Sequence, residues 1–273
     1  MKKITHVAIA GANGRMGKEL LTVCLEDSQI NIVCALVRSG YPSISTDEAY
    51  PYISQDALMA QKAEVLIDFT LPDNSLHLLK QCIKTNTAMV IGTTGFTSEQ
   101  QQEINEAAKL IPVLQASNMS IGVNMTMALL KQATKMVGSD IPIAITESHH
   151  IHKKDAPSGT AITMAEEIAG AGNSGDNYSI IFEEKSTDVK GTDDISTDSN
   201  DKDLQPGCIT INAIREGEVV GDHRVRFILE DETIEIAHHS KDRKIFAKGA
   251  VKAAKWLSDK KPGLYSITNV LGL

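Results

Sequence analysis

Short apolar runs alternate with amphipathic stretches through the first part of the chain. ITHVAIA from residue 4, INIVCALV from 30, EVLIDF from 64, AMVIG from 88 and PVLQA from 112 each read as a β-strand apolar on both sides. Helical patterns separate them, the first from about Gly14 to Asp27. Continuous apolar strands between amphipathic helices predict a doubly wound parallel sheet, the Rossmann-type α/β architecture, over residues 1–120. Beyond Asn118 the rhythm changes. A helix is predicted over Ile121 to Val137, then IPIAITESHH, one more short helix, and β-rich segments at YSIIFEE, CITINAI, VVGDHRVRFILE and DETIEIAHH. Strands that follow one another without helices predict a second, C-terminal α+β domain with a mixed sheet, residues 121–240. The stretch IFAKGAVKAAKWLSDK predicts a helix that returns, within 241–273, to pack on the first domain.

Composition narrows the classes. The 273 residues carry 35 acidic against 27 basic side chains, a net charge of -8, which argues against a polyphosphate partner and for a soluble protein. No apolar run approaches the roughly 20 residues that span a bilayer. The start MKKITHVAIAGANG enters a strand directly, without the apolar core of an export signal, so a cytoplasmic location is expected. Cys24, Cys34, Cys82 and Cys208 stand singly in apolar segments, without CxxC spacing, and read as reduced core residues. Aromatic content is only 4%, so the core must rest on Ile, Val, Leu, Ala and Met. Between Glu183 and Asp203 the chain is rich in Asp, Ser and Thr and nearly devoid of apolar residues, the composition of a surface loop.

Chemistry begins directly after the first strand, at Gly11-Ala12-Asn13-Gly14-Arg15-Met16-Gly17. Glycines there permit a tight turn, let backbone N–H groups approach a pyrophosphate, and let the helix lie close to the strand. A glycine-rich turn alone is weak evidence. Its place as the first strand-turn-helix unit makes it a dinucleotide loop, and a Walker A loop is excluded because Glu19 stands where Ser or Thr is required. The second strand ends Val37-Arg38-Ser39 without the carboxylate that holds the ribose hydroxyls of NADH. Arg38 suits a 2′-phosphate and hence NADPH, with a solvated surface arginine as the competing reading. The strand ends Phe69-Thr70-Leu71-Pro72 and Gly92-Thr93-Thr94-Gly95-Phe96 are candidates for the nicotinamide pocket, or simple turns.

The densest polar cluster is Glu147-Ser148-His149-His150-Ile151-His152-Lys153-Lys154-Asp155-Ala156-Pro157-Ser158-Gly159-Thr160-Ala161, where a strand gives way to a helix. Histidine trades protons near neutral pH, lysine supplies positive charge, and a helix start at Ser158-Gly159-Thr160 offers free N–H groups to a carboxylate. A site for a small anionic substrate follows. Zinc at the histidines is disfavoured, since neighbours on an extended chain point to opposite faces and no cysteine or HExxH accompanies them, so no metal is expected.

These motifs together, GANGRMG, FT-x-P, IGTTGF, the NxSxGVN stretch Asn118 to Asn124, the fifteen residues Glu147 to Ala161, and GDH at Gly221 to His223, resemble the 4-hydroxy-tetrahydrodipicolinate (dihydrodipicolinate) reductase family over essentially the whole chain. The resemblance implies NAD(P)H-dependent reduction of 4-hydroxy-tetrahydrodipicolinate to tetrahydrodipicolinate with loss of water, in lysine and diaminopimelate biosynthesis. It makes His149 the proton donor or acceptor beside the reacting ring and Lys153 the partner proton donor and carboxylate contact. His150, Gly159 and Thr160 would bind the substrate. NADPH or NADH would lie on Gly11, Ala12, Asn13, Gly14, Arg15 and Met16, on Arg38, on Gly92, Thr93 and Thr94, and on Ala116, Ser117, Asn118 and Met119. Two departures stand out: Val37 replaces the ribose-binding acid of several relatives, and Met119 a phenylalanine of some. A homotetramer built through the second domain's sheets is a further implication. Closure of the two domains over cofactor and substrate is expected separately, because the candidate site draws on both halves of the chain. Two rivals remain at this level: a nucleotide-sensing module without turnover, and an oxidoreductase of another small acid such as an amino-acid semialdehyde.

Overall fold

The computed structural model describes residues 3–38, 50–54, 62–172, 178–182 and 204–273; the acidic segment between Glu183 and Asp203 lies outside the described residues. The chain divides into two compact units, one formed by Met1–Asn124 with Arg243–Leu273, the other by Met125–Asp242.

The first unit holds a seven-stranded parallel sheet. Its strands are β1 (Thr5–Ala10), β2 (Ile30–Val37), β3 (Tyr52–Ser54), β4 (Val65–Asp68), β5 (Ala88–Ile91), β6 (Pro112–Gln115) and β12 (Gly263–Tyr265). They lie in the order β12-β6-β5-β4-β1-β2-β3. The order reverses between β1 and β4, and in doubly wound sheets the crevice at the carboxyl ends of the strands beside such a reversal receives ligands. Two apolar layers clothe the sheet. One side packs Val7, Ile9, Val65 and Val90 with residues of α1 (Arg15–Glu26) and α6 (Lys244–Leu257). The other packs Ala8, Leu66, Met89 and Ile91 with residues of α2 (Pro72–Thr85) and α3 (Ser98–Ala107).

Local sequence explains these helices. In α1 the buried residues Gly17, Leu20, Leu21 and Cys24 recur at the i, i+3, i+4, i+7 spacing of one helical face. Proline opens α2, and Asn86 closes it in the left-handed conformation at φ 54°. Thr97 and Gln100 cap α3 reciprocally. The buried face of α6 is almost entirely small, Ala247, Gly249, Ala250, Ala253 and Ala254, so its axis lies close to what it covers.

The second unit holds a mixed five-stranded sheet, in the order β11-β10-β7-β9-β8, made of β7 (Ile143–His149), β8 (Ser179–Phe182), β9 (Cys208–Arg215), β10 (Gly221–Ile228) and β11 (Thr233–Ser240). β10 pairs antiparallel with β7 and β11, while β7, β9 and β8 run parallel to one another. The helix α5 (Gly159–Ala171) packs against β7 and β9, burying Ala161, Met164, Ala165 and Ile168. The helix α4 (Ile121–Val137) bridges the sequence boundary of the two units. No helix of the described residues is long and apolar enough to cross a membrane. Three cysteines, Cys24, Cys34 and Cys82, are buried, whereas Cys208 at the start of β9 is partly exposed, so only three fit the core reading. Burial drives the thiols of Cys24 and Cys34 up to about 12, keeping them protonated and unreactive.

Candidate functional site

On the face of the second sheet that meets α5, side chains line up in register. Ile143 on β7 stands between Phe227 and Ile209, and Ile145 between Val225 and Ile211. One step further Glu147 stands between His223 and Ala213, and then His149 pairs with Arg215. The strands that begin as apolar core therefore end as a buried polar cluster, because residues two apart on a strand share a face.

Glu147 is the centre of that cluster and is wholly buried. Its Oε2 accepts a short hydrogen bond from Nδ1 of His149. Its Oε1 accepts from the backbone N–H of Ser158 at 3.0 Å and from Nη2 of Arg215 at 2.8 Å. Burial pushes this carboxyl up, but the bonds from His149 and Arg215 and their charges outweigh it and hold the group below the usual carboxylate range. Arg215 also donates to the carbonyls of Ile214 and Asp155, each at 2.6 Å, which ties down the loop ahead of α5. Ser158 caps α5 by accepting from the N–H of Ala161 at 3.2 Å, and its hydroxyl meets Nε2 of His223, also at 3.2 Å. Burial first, then the neighbouring His149, lowers His223 to about 4, so it is neutral near pH 7.

His149 is 9% exposed and stands edge-on to His223, with ring centroids 5.3 Å apart. Its Nε2 would be 2.9 Å from a Cβ placed on Gly221, so the ring packs against the Gly221 backbone and any side chain there would displace it. His150 departs from this face and stands near His152, with ring centroids 6.1 Å apart. Lys153 pairs with Asp155 at 2.8 Å in the same loop. Gly159 and Thr160 open α5, and a Cβ on Gly159 would meet nothing within 4 Å, leaving that helix start open to a ligand. Ligand-capable atoms of Glu147, His149 and His223 lie within 4.8 Å of one another. Both oxygens of Glu147 are engaged by donors and a guanidinium lies beside them, so this set suits an ion pair rather than a dication.

In the first unit the remaining candidates follow the carboxyl ends of four parallel strands. Gly11 to Met16 follow β1, Arg38 follows β2, Gly92 to Thr94 follow β5, and Ala116 to Met119 follow β6. Gly11 sits at φ 65° and a Cβ on Gly17 would be 2.2 Å from the carbonyl oxygen of Gly11, so helix and loop touch only because both are glycine. The helix N-cap, Gly14, makes no side-chain cap, which leaves the first N–H groups of α1 facing outward. Nδ2 of Asn13 is buried without a hydrogen-bond partner among the described residues. An uncapped positive helix end, an orphaned amide donor and a loop too close for side chains fit a dinucleotide pyrophosphate. Arg38 is exposed, whereas Val37 is buried at 5%. The side chain of Met119 is 1% exposed in the apolar layer, so only its backbone is available to a ligand.

Asp68 and Gly249, which carry no role assigned from the sequence, help hold these loops, together with Thr93 and Phe69. Asp68, fully buried at the end of β4, accepts from Thr70 Oγ1 at 2.6 Å, from Thr93 Oγ1 at 2.8 Å, and from Ser75. Thr93 Oγ1 in turn accepts from the N–H of Thr70 at 2.9 Å, locking the Phe69-Thr70 and Gly92-Thr93 loops together. The Phe69 ring fills the place a side chain on Gly92 would take, 2.4 Å from that Cβ. Gly249 on α6 would bring a Cβ within 1.7 Å of the Met119 carbonyl oxygen, so this helix is pressed against the Asn118-Met119 backbone.

Comparison with known proteins agrees with this layout. Residues 5–119 match the family described as dihydrodipicolinate reductase, N-terminus, and residues 122–271 its C-terminus. A 4-hydroxy-tetrahydrodipicolinate reductase of Syntrophotalea carbinolica is 40% identical, covering 98% of both chains, and one of Methylococcus capsulatus is 39% identical, covering 99% of both. Among solved structures, a dipicolinate-bound dihydrodipicolinate reductase from Paenisporosarcina sp. TG-14 superposes with a TM-score of 0.78 at 24% identity, over 97% of this chain and 99% of that one.

Proposed function

Because the chain belongs to the dihydrodipicolinate reductase family, we propose that it reduces 4-hydroxy-tetrahydrodipicolinate to tetrahydrodipicolinate with loss of water, a step of lysine and diaminopimelate biosynthesis. The observation that carries the reading to the chemistry is the polar end of β7. There a histidine whose Nδ1 is held by Glu147 stands in the same unit as a lysine and a helix start that Gly159 leaves open.

The cofactor would rest on Gly11 to Met16, Arg38, Gly92 to Thr94 and Ala116 to Met119; what it supplies when bound is hydride. NADPH is preferred over NADH in this reading, since Arg38 offers a 2′-phosphate two or more charge-assisted bonds and Val37 offers the ribose hydroxyls none. His149 delivers the proton that completes reduction, from Nε2. Lys153 neutralises a substrate carboxylate, taking it in place of Asp155, and serves as the partner proton donor. The N–H groups of Gly159 and Thr160 receive a carboxylate at the helix start, and His150 completes the substrate contacts. A cytoplasmic homotetramer is part of the same reading.

The test follows NADPH absorbance with freshly generated pathway intermediate, with unrelated semialdehydes as controls. Turnover of the intermediate alone is expected, and replacing His149 by Ala should lower kcat by about 10²–10⁴ with cofactor affinity nearly intact. Turnover of a semialdehyde instead, or an unchanged kcat in His149→Ala, would overturn the assignment or the role.

A further inference from the structure

The polar cluster contains a buried carboxylate with no part in binding or proton delivery. Both oxygens of Glu147 are nevertheless used, and each donor comes from a different place in the fold: His149 from its own strand, Arg215 from β9, and Ser158 from the start of α5. A carboxylate in an ion pair only accepts hydrogen bonds. The nitrogen of His149 that faces it must therefore carry hydrogen whether the ring is neutral or charged, and the lone pair that gains and loses a proton is confined to Nε2. That nitrogen lies against Gly221, where a side chain would collide with it.

We infer that Glu147 is a positioning residue, which fixes His149 in the Nδ1–H tautomer, directs Nε2 to the proton-transfer side, and holds the carboxylate-binding start of α5 through Ser158. The inference rests on the proposed role of His149. Arg215 is the counterpart that makes a buried anion tolerable here, and its bond to the Asp155 carbonyl adds the Lys153 loop to the same anchor. The charged and titratable groups around the imidazole are Glu147 on its own strand, Arg215 from β9, and His223 from β10. Behind them stand Asp222 on β10 and His238 on β11, and the loop carries Lys153 and Asp155. Of these, Glu147 is the anion bonded to the ring. Its removal withdraws the charge that favours the imidazolium.

Two measurements test this. In the full chain labelled with ¹⁵N-histidine, with the His149 signals assigned by their loss in His149→Asn, long-range ¹⁵N–¹H correlation at high pH should show the Nδ1–H tautomer. Glu147→Gln should bring in the Nε2–H form. In steady-state assays Glu147→Gln should lower kcat about tenfold or more with KM for NADPH little changed, and its alkaline limb should move to lower pH, while Glu147→Asp recovers part of both. An Nε2–H tautomer in the wild type, or a Glu147→Gln profile that overlays the wild type, would overturn the inference. The tautomer in the wild type decides even where a variant does not fold. It is read without turnover, so it stands apart from failure of the proposed reaction, which would appear as loss of activity on the intermediate or full activity in His149→Ala.

Discussion

Replacing Gly249 by Ala would normally strengthen a helix. Alanine is favoured over glycine in a helix interior by about 1 kcal/mol. In α6, however, the added Cβ would be 1.7 Å from the Met119 carbonyl oxygen and 2.8 Å from its carbon. A comfortable carbon to oxygen approach is about 3.3 Å, so the two backbones must part by roughly 1.5 Å. Neither neighbour yields easily, since the helix face around it is Ala247, Ala250, Ala253 and Ala254 and Met119 is itself core. Overpacking of this kind costs about 1–3 kcal/mol, and a backbone target puts it at the upper end. The net expectation is a loss of about 1–2 kcal/mol and a fall of roughly 2–8 °C in the melting of the first unit. Gly170 in α5 supplies the control, because a Cβ there meets nothing within 4 Å and Gly170→Ala should be neutral or stabilising by up to about 1 kcal/mol. Since Asn118-Met119 belongs to the proposed cofactor cradle, titration calorimetry should show NADPH affinity weakened about tenfold in Gly249→Ala only. Unchanged melting and unchanged affinity in that variant would refute the claim that α6 sets the position of this segment.

Two further outcomes are expected. Arg38→Ala should reduce kcat/KM with NADPH by about tenfold or more and leave NADH use nearly unaltered, and equal discrimination in both proteins would remove Arg38 from cofactor choice. His223 takes a proton at 6.5 when unfolded but only at about 4 when folded, so below pH 6.5 the unfolded chain binds the extra proton and stability falls until about pH 4, by up to about 3 kcal/mol. Urea unfolding at pH 7.5, 5.5 and 4.5 should show that slope in the wild type and a flatter one in His223→Asn. Glu147 acts in the other window: its depressed carboxyl stabilises the fold above about pH 4.5 and loses that effect only as the solution becomes more acidic.

Long apolar runs announced their strands: INIVCALV is β2 to the residue, and IPIAITESHH contains β7. β3 and β12, three residues each, carry too short a pattern to register, and they reach the sheet by pairing with β2 and β6. The same limit applies to the site. Glu147 and His149 are two apart on a strand, so their shared face was readable from the alternation alone. That Arg215 and His223 would join them depends on the register of β9 and β10 against β7, which no local pattern encodes. A glycine inside the alanine-rich α6 signalled a close approach without naming its partner, Met119. Asp68, the last residue of a strand, gave no signal, because its three hydroxyl donors come from separate loops and a helix turn.

The first unit is discontinuous in sequence, and this bears on how a nascent chain matures. Leu20, Val7 and Ile9 share an apolar layer with Ala250, Ala254 and Leu257, so one side of the parallel sheet is only partly covered, by α1, until α6 has left the ribosome. Residues 125–242 must be synthesised in between, a delay on the order of ten seconds at typical elongation rates. Truncation ahead of Arg243 makes that interval permanent, leaving a greasy sheet surface for chaperones or for aggregation.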